Sequence, residues 1–388
     1  MLVASMRLVA ITLTVVAAML AMPPRAVQVT QYSKAEVLSD PVSLLQKRIA
    51  TGEVKLRYTP ERGYLPSLLK ELGIPASSQM LVFSKTSLQI DRISSATPRA
   101  VYFNDDVYVG WIPDAPMMEV ASVDPRYGTI FYTFPQSETK VPSFQRLELP
   151  CTSCHGPVND DVPAPLLLMM SSDVNEAGDE VKDFLLTTDR SPLSERWGGW
   201  YVSGTAGSAK HMGRRIPTDT KRYLSPHSDM VALLLLAHQS DVHNRIGEAS
   251  QKMRISSGTA DLEEAVEPLV RTLLFSGAAP FTAPIRGSSK FAAEFSAKGP
   301  RDRRGRSLRD LDLRTRLLRY PLSYLIYSES FRQLPVAAKE YVYRRFREVL
   351  SGADRSEDFR HLTAADRTAT LEVLTATFPE FALWSAAH

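Results

Sequence analysis

The chain has 388 residues, of which 44% are hydrophobic and 23% are charged, and this is the composition of an ordinary globular protein with room for two or three domains. A formal net charge of only +3 gives no general case for binding nucleic acid, so we expect no nucleic-acid partner. With two cysteines in the whole chain, a structural framework of disulfides is excluded.

The first 26 residues have the pattern of a signal peptide or an N-terminal anchor. A single positive charge, Arg7, precedes an uncharged apolar run of 15 residues at 8–22, which is shorter than the roughly 20 residues that span a bilayer. The next apolar run, MVALLLLA at 230–237, has only eight residues. We therefore expect a periplasmic or otherwise extracytoplasmic protein, with no membrane association beyond this segment.

Residues 27–140 form a predicted β-rich region. Within it, two short helices are predicted at 41–51 and 66–75, before the strands. Between 80 and 134 the chain is rich in β-branched and aromatic residues, with the turn sequences NDD and DPRYG between the apolar runs. This pattern predicts a small antiparallel sheet.

The middle segment, 141–223, is irregular and contains both cysteines in the stretch LPCTSCHGPV. Cys151, Cys154 and His155 match C-x-x-C-H, the signature of covalent c-type haem attachment, in which two thiols bond the haem and the histidine binds its iron. A redox-active dithiol and a metal site are the alternatives, although no second cysteine pair completes a common zinc pattern. Because haem c is attached on the far side of the membrane, the predicted export favours haem.

The sixth ligand of the iron is a separate question. Met212 is our first candidate, because it follows His155 at a plausible distance along the chain and comes after the glycine-rich stretch WGGWYVSGTAGSAK, which can let the backbone approach a flat ligand. His211, another residue, or no protein ligand are the alternatives. Trp197 and Trp200 lie in the same stretch, where they either pack on a porphyrin edge or belong to the core.

Residues 224–388 form a predicted helical region. Ser225 is the predicted N-cap of its first helix, with Pro226 at the first helical position. Further helices are predicted near 261–276, 289–296, 307–318, 321–332, 335–350 and 363–377.

The first of these helices contains His227, His238 and His243. The first two are eleven residues apart, or about 16 Å along a helix, which is too far to bind one metal ion. His238 and His243 do not have the i, i+4 spacing of a metal-binding helix. Each is therefore interpreted first as a hydrogen-bonded core or surface residue, and only then as a group that faces the haem edge.

Eight arginines and three aspartates lie in the segment 299–320. Such a run favours a solvated helix with Arg–Asp pairs, while a basic docking face for an acidic partner, or arginines that hold the haem propionates, are the functional interpretations.

Several phrases together resemble large secreted bacterial cytochrome c domain-containing proteins with one mid-chain haem motif. The resemblance extends from about residue 64 to 350 and includes SSQMLVFSKTSLQ, YFNDDVYVGWIP, DPRYGTIFYT, SPLSERWGGWYVSGT, SPHSDMVALLLLAHQ and GPRDRRGRSLRDLDL. It implies a c-type haem bound by Cys151, Cys154 and His155. Related chains often have a histidine in the G-T-x-G phrase where this chain has Ala206.

The sequence therefore predicts an α+β protein with a β-rich N-terminal part, an irregular haem-binding middle and a helical C-terminal half. The predicted function is electron transfer through one covalent haem c, with its iron held by His155 and Met212, to a redox partner protein of acidic character. A peroxidase-like haem enzyme, a haem-based sensor and a structural subunit of an envelope complex are the alternatives. No catalytic residues are predicted, because the sequence contains no nucleophile, phosphate-binding or dinucleotide motif.

Overall fold

The computed structural model describes residues 38–147, 151, 154–156, 165–182, 184–216, 219–256 and 261–388. The predicted signal segment 1–26 lies outside these residues. Within them the chain has an α+β fold, as predicted, with an antiparallel sheet in its N-terminal part and helices in its C-terminal half. A helix of sufficient length and apolar character to cross a membrane is not found in the described part of the chain.

The sheet has six antiparallel strands in the order of the chain. They are β1 (Met80–Val82), β2 (Arg99–Phe103), β3 (Val107–Trp111), β4 (Met117–Asp124), β5 (Gly128–Pro135) and β6 (Gln145–Leu147). Asn104 forms the predicted turn between β2 and β3, because its Oδ1 accepts hydrogen bonds from the backbone N–H groups of Asp106 and Val107. Asp124 does the same after β4. Both turns were predicted from the sequence.

The two faces of the sheet belong to two different cores, because successive side chains of a strand point in opposite directions. On β5, Tyr132 and Phe134 pack in the core shared with the helices α1 (Pro41–Ala50) and α2 (Leu65–Glu71). Phe131, the residue before Tyr132, packs in the core of the helical half. The helical half therefore covers the face of the sheet that carries Phe131.

The C-terminal half is built around one long buried helix. The helices are α3 (Met230–Ile255), α4 (Leu262–Leu273), α5 (Phe291–Ala297), α6 (Glu329–Arg332), α7 (Val336–Ser351), α8 (Ala364–Thr377) and α9 (Pro379–Ala387). The apolar run 230–237 at the start of α3 is buried throughout, and a helix that is apolar all round belongs inside a protein. The middle segment adds the pairs β7 (Met170–Ser171) with β8 (Leu185–Leu186) and β9 (Tyr201–Val202) with β10 (Arg214–Arg215).

Two helix predictions were wrong. The predicted start at Pro226 is replaced by Met230, since Asp229 is the N-cap of α3. The segment 307–318 is not helical but folds back so that Leu311 pairs with Leu318. In that segment the Asp312 side chain accepts two nearby backbone N–H groups, and such local bonds compete with helix formation.

The predicted helix at 321–332 is divided into a 3₁₀ turn at Tyr324–Tyr327 and the single turn α6. The predicted helices at 261–276, 289–296, 335–350 and 363–377 correspond to α4, α5, α7 and α8 with ends shifted by up to three residues. Helix α9 was not predicted.

Candidate haem-binding site

The motif residues Cys151, Cys154 and His155 all have helical backbone conformation. Residues three and four apart are neighbours on a helix surface, so Cys151 is a neighbour of both Cys154 and His155, while Cys154 and His155 point in different directions. Cys151 is buried, with 9% of its surface exposed, whereas Cys154 is exposed, and the two are not joined in a disulfide. One thiol therefore faces the core and the other faces outward.

His155 is held in one orientation by contacts on two sides. Its Nδ1 lies 2.8 Å from the carbonyl oxygen of Leu166, whose own N–H donates to the carbonyl oxygen of His155. Its ring packs on Phe131 of β5 at 4.7 Å between centroids. Because a carbonyl can only accept, Nδ1 carries the proton and Nε2 carries the lone pair that binds a metal.

Burial also lowers the pKa of His155, although the hydrogen bond to Leu166 acts in the opposite direction. A lowered pKa keeps the imidazole neutral at pH 7, and neutral imidazole is the form that ligates iron. Orientation and charge state therefore both suit His155 to the role of an axial ligand.

The carbonyl that orients His155 is itself positioned by the central helix α3. Asn244 donates from Nδ2 to the carbonyl oxygen of Leu167 and accepts its N–H at Oδ1, both at 2.8 Å. The segment 165–169, which includes Leu166, is thus tied to α3. Sequence reasoning missed both Leu166 and Asn244, since a main-chain contact leaves no side-chain pattern to detect.

Cys151 has the environment of a protonated thiol. Burial raises its pKa to about 11, with smaller contributions from Glu119 and Cys154. Reactive cysteines have lowered pKa values, because the thiolate is the nucleophile. The environment of Cys151 is therefore unlike that of a catalytic dithiol.

A group of three or more His, Cys, Asp or Glu side chains placed to hold one metal ion does not occur among the described residues. Two cavities in the described part of the chain are lined by residues other than those of the motif.

Met212 lies at the surface of the middle segment, with 36% of its area exposed. Its N–H donates to the carbonyl oxygen of Arg196 at 3.0 Å, and its Sδ accepts from Ser171 Oγ at 3.7 Å. His211 packs its ring on Trp197 at 5.2 Å. Across the described residues, no hydrogen bond or ring contact joins Met212 or His211 to His155, so Met212 stays a prediction.

The glycine-rich stretch before Met212 is explained by close packing of the chain on itself. A Cβ on Gly198 would lie 2.2 Å from the carbonyl oxygen of Ser172. At Gly204, where φ is +124°, a Cβ would lie 2.4 Å from the carbonyl oxygen of Arg286. These contacts exclude any side chain, and the flat ligand that we expected is not needed to account for the glycines.

The tryptophans and Ala206 are part of the protein core. Trp197 is fully buried and Trp200 is 5% exposed, with its Nε1 donating to the carbonyl oxygen of Met170 at 2.8 Å. Ala206 is 6% exposed. A histidine at this position would place its ring among buried apolar groups.

The histidines of α3 are engaged in hydrogen bonds inside the protein. His238 is fully buried, with Nδ1 2.5 Å from Asp189 Oδ2 and Nε2 2.8 Å from Ser323 Oγ. His243 donates from Nε2 to the carbonyl oxygen of Asp105 at 2.7 Å. The interpretation of these two as hydrogen-bonded core residues agrees with their contacts. His227 lies before α3, not on it.

No family model, no curated protein and no solved structure matches this chain. The resemblance to cytochrome c domain-containing proteins therefore depends on the sequence phrases quoted above.

Proposed function

We propose that the chain is a mono-haem c-type protein of the cell envelope that transfers electrons. The observation that carries this proposal is the orientation of His155, whose Nδ1 is bonded to a carbonyl so that Nε2 is left for iron, directly after two cysteines with the attachment spacing. The family resemblance and the predicted export segment 1–26 support it.

In this proposal, Cys151 and Cys154 hold the haem through two thioether bonds, and His155 ligates its iron through Nε2. The bound haem would supply a one-electron Fe³⁺/Fe²⁺ couple. Leu166 and Phe131 restrict rotation of the imidazole, and Met212 is the proposed second axial ligand. The apolar core around Cys151 lowers the local dielectric, which affects the reduction potential.

The proposed partner is a redox protein with an acidic surface. Most arginines of the segment 299–320 are used internally, as in the ion pairs of Arg301 with Asp310 and Arg306 with Asp302. Three arginines of this segment are exposed and make no salt bridge within the described residues: Arg303, Arg314 and Arg319. These three charges, and not the whole run, are the ones proposed to meet an acidic partner.

Covalent attachment is tested on denaturing gels stained for haem peroxidase activity, after expression with a cytochrome c maturation system. The wild-type band should stain, and the single variants Cys151→Ser and Cys154→Ser should keep a weaker stain through the remaining thioether. The double variant should lose the stain, whereas His388→Ala, which changes an exposed residue, should behave like the wild type. Loss of haem from the wild-type protein on denaturation would contradict covalent attachment.

The ferric spectrum separates electron transfer from the alternatives. A low-spin, six-coordinate iron is expected for a carrier, because both axial positions are occupied by the protein. A high-spin iron that binds cyanide or peroxide rapidly would favour the peroxidase-like enzyme or the sensor instead. If the wild-type iron is low-spin, His155→Ala should give high-spin iron or fail to retain haem.

A further inference from the structure

A cavity of about 230 Å³ lies in the helical half, away from the haem motif. Its walls come from α3, from the loop after α4 and from the segment 315–321. Most of its lining is apolar, including Phe275, Phe281 and Leu317, and the charged side chains in it are Arg196, Arg316 and Asp189. An apolar pocket with a few convergent polar groups is the usual form of a small-molecule site.

Arg196 is a buried cation that has no carboxylate partner in the described part of the chain. Only 2% of its surface is exposed, and its Nε and Nη2 donate to the carbonyl oxygens of Ser191 and Asp189 at 2.8 and 2.9 Å. No Asp or Glu oxygen of the described residues lies within the 4.0 Å of an ion pair. A buried charge that lacks a counter-ion is costly, so an anion in this cavity would be stabilised.

The nearest carboxylate, Asp189, is committed to another partner. Its Oδ2 accepts from His238 Nδ1 at 2.5 Å, and His238 is fixed in turn by Ser323 and by stacking on Phe275 at 4.5 Å. Asp189 makes no ion pair with Arg196 within 4.0 Å, although its charge raises the pKa of Arg196 against the larger effect of burial. The guanidinium of Arg196 is therefore balanced only at longer range.

The lining also contains a second arginine, Arg316, and Asp189 is its only carboxylate among the described residues. Arg316 pairs with Asp366, and its buried Nε has no hydrogen-bond partner, although Asp312 lies 3.9 Å away. His361 donates from Nε2 to the carbonyl oxygen of Leu274, and burial lowers its pKa so that the ring is neutral at pH 7. The two arginines, Arg196 and Arg316, thus line a largely apolar space.

Two residues with left-handed backbone lie in the lining or directly next to it in the chain. Phe275, which lines the cavity, has φ of 60°, and Trp197, which follows Arg196, has φ of 72°. Left-handed backbone is unfavourable for bulky side chains and tends to occur at ligand sites.

We propose that this cavity binds a small organic monocarboxylate, whose carboxylate pairs with Arg196 next to Arg316 and whose apolar part packs on Phe275, Phe281 and Leu317. The volume is below the roughly 300–1,000 Å³ of drug-sized pockets, so the ligand is about as large as benzoate or a short fatty acid. The apolar walls disfavour a doubly charged, strongly hydrated anion such as phosphate. The site is independent of haem attachment, because no motif residue lines it.

Calorimetric titration of the full protein with butyrate, benzoate, benzamide and inorganic phosphate tests the proposal. At least one carboxylate should bind saturably and raise the melting temperature. Benzamide, which has the shape of benzoate without its charge, should bind at least tenfold more weakly. Binding of neither carboxylate, or phosphate binding as tight as benzoate binding, would overturn the assignment.

Variants then locate the site. Arg196→Gln should weaken benzoate binding at least tenfold, whereas Arg314→Gln, which changes an exposed arginine of the neighbouring loop, should leave it unchanged. Ala278→Leu enlarges a half-buried residue of the lining and should block benzoate binding without altering any charge. This variant therefore tests the cavity even if Arg196→Gln does not fold. Unchanged binding in Ala278→Leu, or in a folded Arg196→Gln protein, would refute the cavity as the site.

Discussion

At the scale of single residues, the properties of His155 depend on groups far from it in the chain. Leu166 orients its ring, and Asn244 of α3 fixes the segment that contains Leu166. Such outer contacts tune metal ligands, because they set the tautomer and the direction of the lone pair.

Asn244→Ala should therefore affect both stability and the axial ligand. It leaves the N–H and carbonyl of Leu167 without partners, which should lower the free energy of unfolding by about 1–3 kcal/mol. With Leu166 less firmly held, the ferric haem should contain more high-spin iron and release His155 at a higher pH during acid titration. Asn175→Ala, at an exposed loop, is the control. A stability loss with an unchanged spectrum would show that Asn244 is structural only.

Met212 and His211 are adjacent candidates that a pair of variants can separate. A thioether ligand raises the reduction potential and gives a weak far-red band in the ferric spectrum, and an imidazole ligand does neither. Met212→Ala should abolish that band and open the iron to small ligands, whereas His211→Ala should keep the band. The reverse pattern would make the coordination bis-histidine, and no effect of either variant would place the sixth ligand elsewhere.

At the scale of elements, the start of α3 joins the helix to the rest of the fold. Asp229 accepts at Oδ1 from the N–H of Val231 and at Oδ2 from the N–H groups of Ser288 and Ser289. One carboxylate thus caps the helix and anchors the loop that precedes α5.

Asp229→Ala should cost about 3 kcal/mol or more, because it removes an N-cap worth about 0.5–2 kcal/mol and leaves two loop N–H groups without partners. Asp261 is the matched control, since it caps α4 in the same geometry but is exposed and bonds to no second segment among the described residues. Asp261→Ala should cost about 1 kcal/mol. Denaturant unfolding measures both values, and equal losses would contradict the anchoring role.

At the scale of the whole molecule, the joining of the sheet to the helical half buries polar groups between them. His243 of α3 reaches across to the carbonyl oxygen of Asp105 in the β2–β3 turn. Burial lowers the pKa of His243 to about 4, against a smaller opposing effect of the Asp105 hydrogen bond. In the unfolded chain this histidine has an ordinary pKa of about 6.5, so it binds a proton at a pH where His243 of the folded protein is still neutral.

This difference predicts acid sensitivity between about pH 6.5 and pH 4. The contribution of His243 is fully present above the unfolded pKa and decreases as the pH falls, because the unfolded state binds more protons there. Between pH 7 and pH 5 the loss should be about 2 kcal/mol. His243→Gln keeps a donor for Asp105 and should reduce the pH dependence by that amount. His388→Gln is the control, and an unchanged slope in His243→Gln would rule out His243 as the cause.

The sequence by itself determined the features that depend on local order. The sheet and the turns at Asn104 and Asp124 follow from alternation and from side chains that bond their own backbone. The ends of α7 and α8 are close to the predicted ones, because Gly352 ends α7 in a left-handed conformation and the Thr363 side chain caps α8. The haem attachment predicted from Cys151, Cys154 and His155 likewise depends on a local pattern, because that chemistry requires a fixed spacing.

Only the tertiary structure decided what depends on partners distant in the chain. Asp229, not Ser225, is the N-cap of α3, and its carboxylate also bonds the loop before α5. The arginine-rich segment forms turns around aspartate side chains in place of the predicted helix. The carbonyl that orients His155, the hydrogen bonds of His238 and the lone charge of Arg196 arise where separate segments meet. A local sequence pattern does not predict these contacts between segments, because main-chain groups and packed surfaces are common to every residue type.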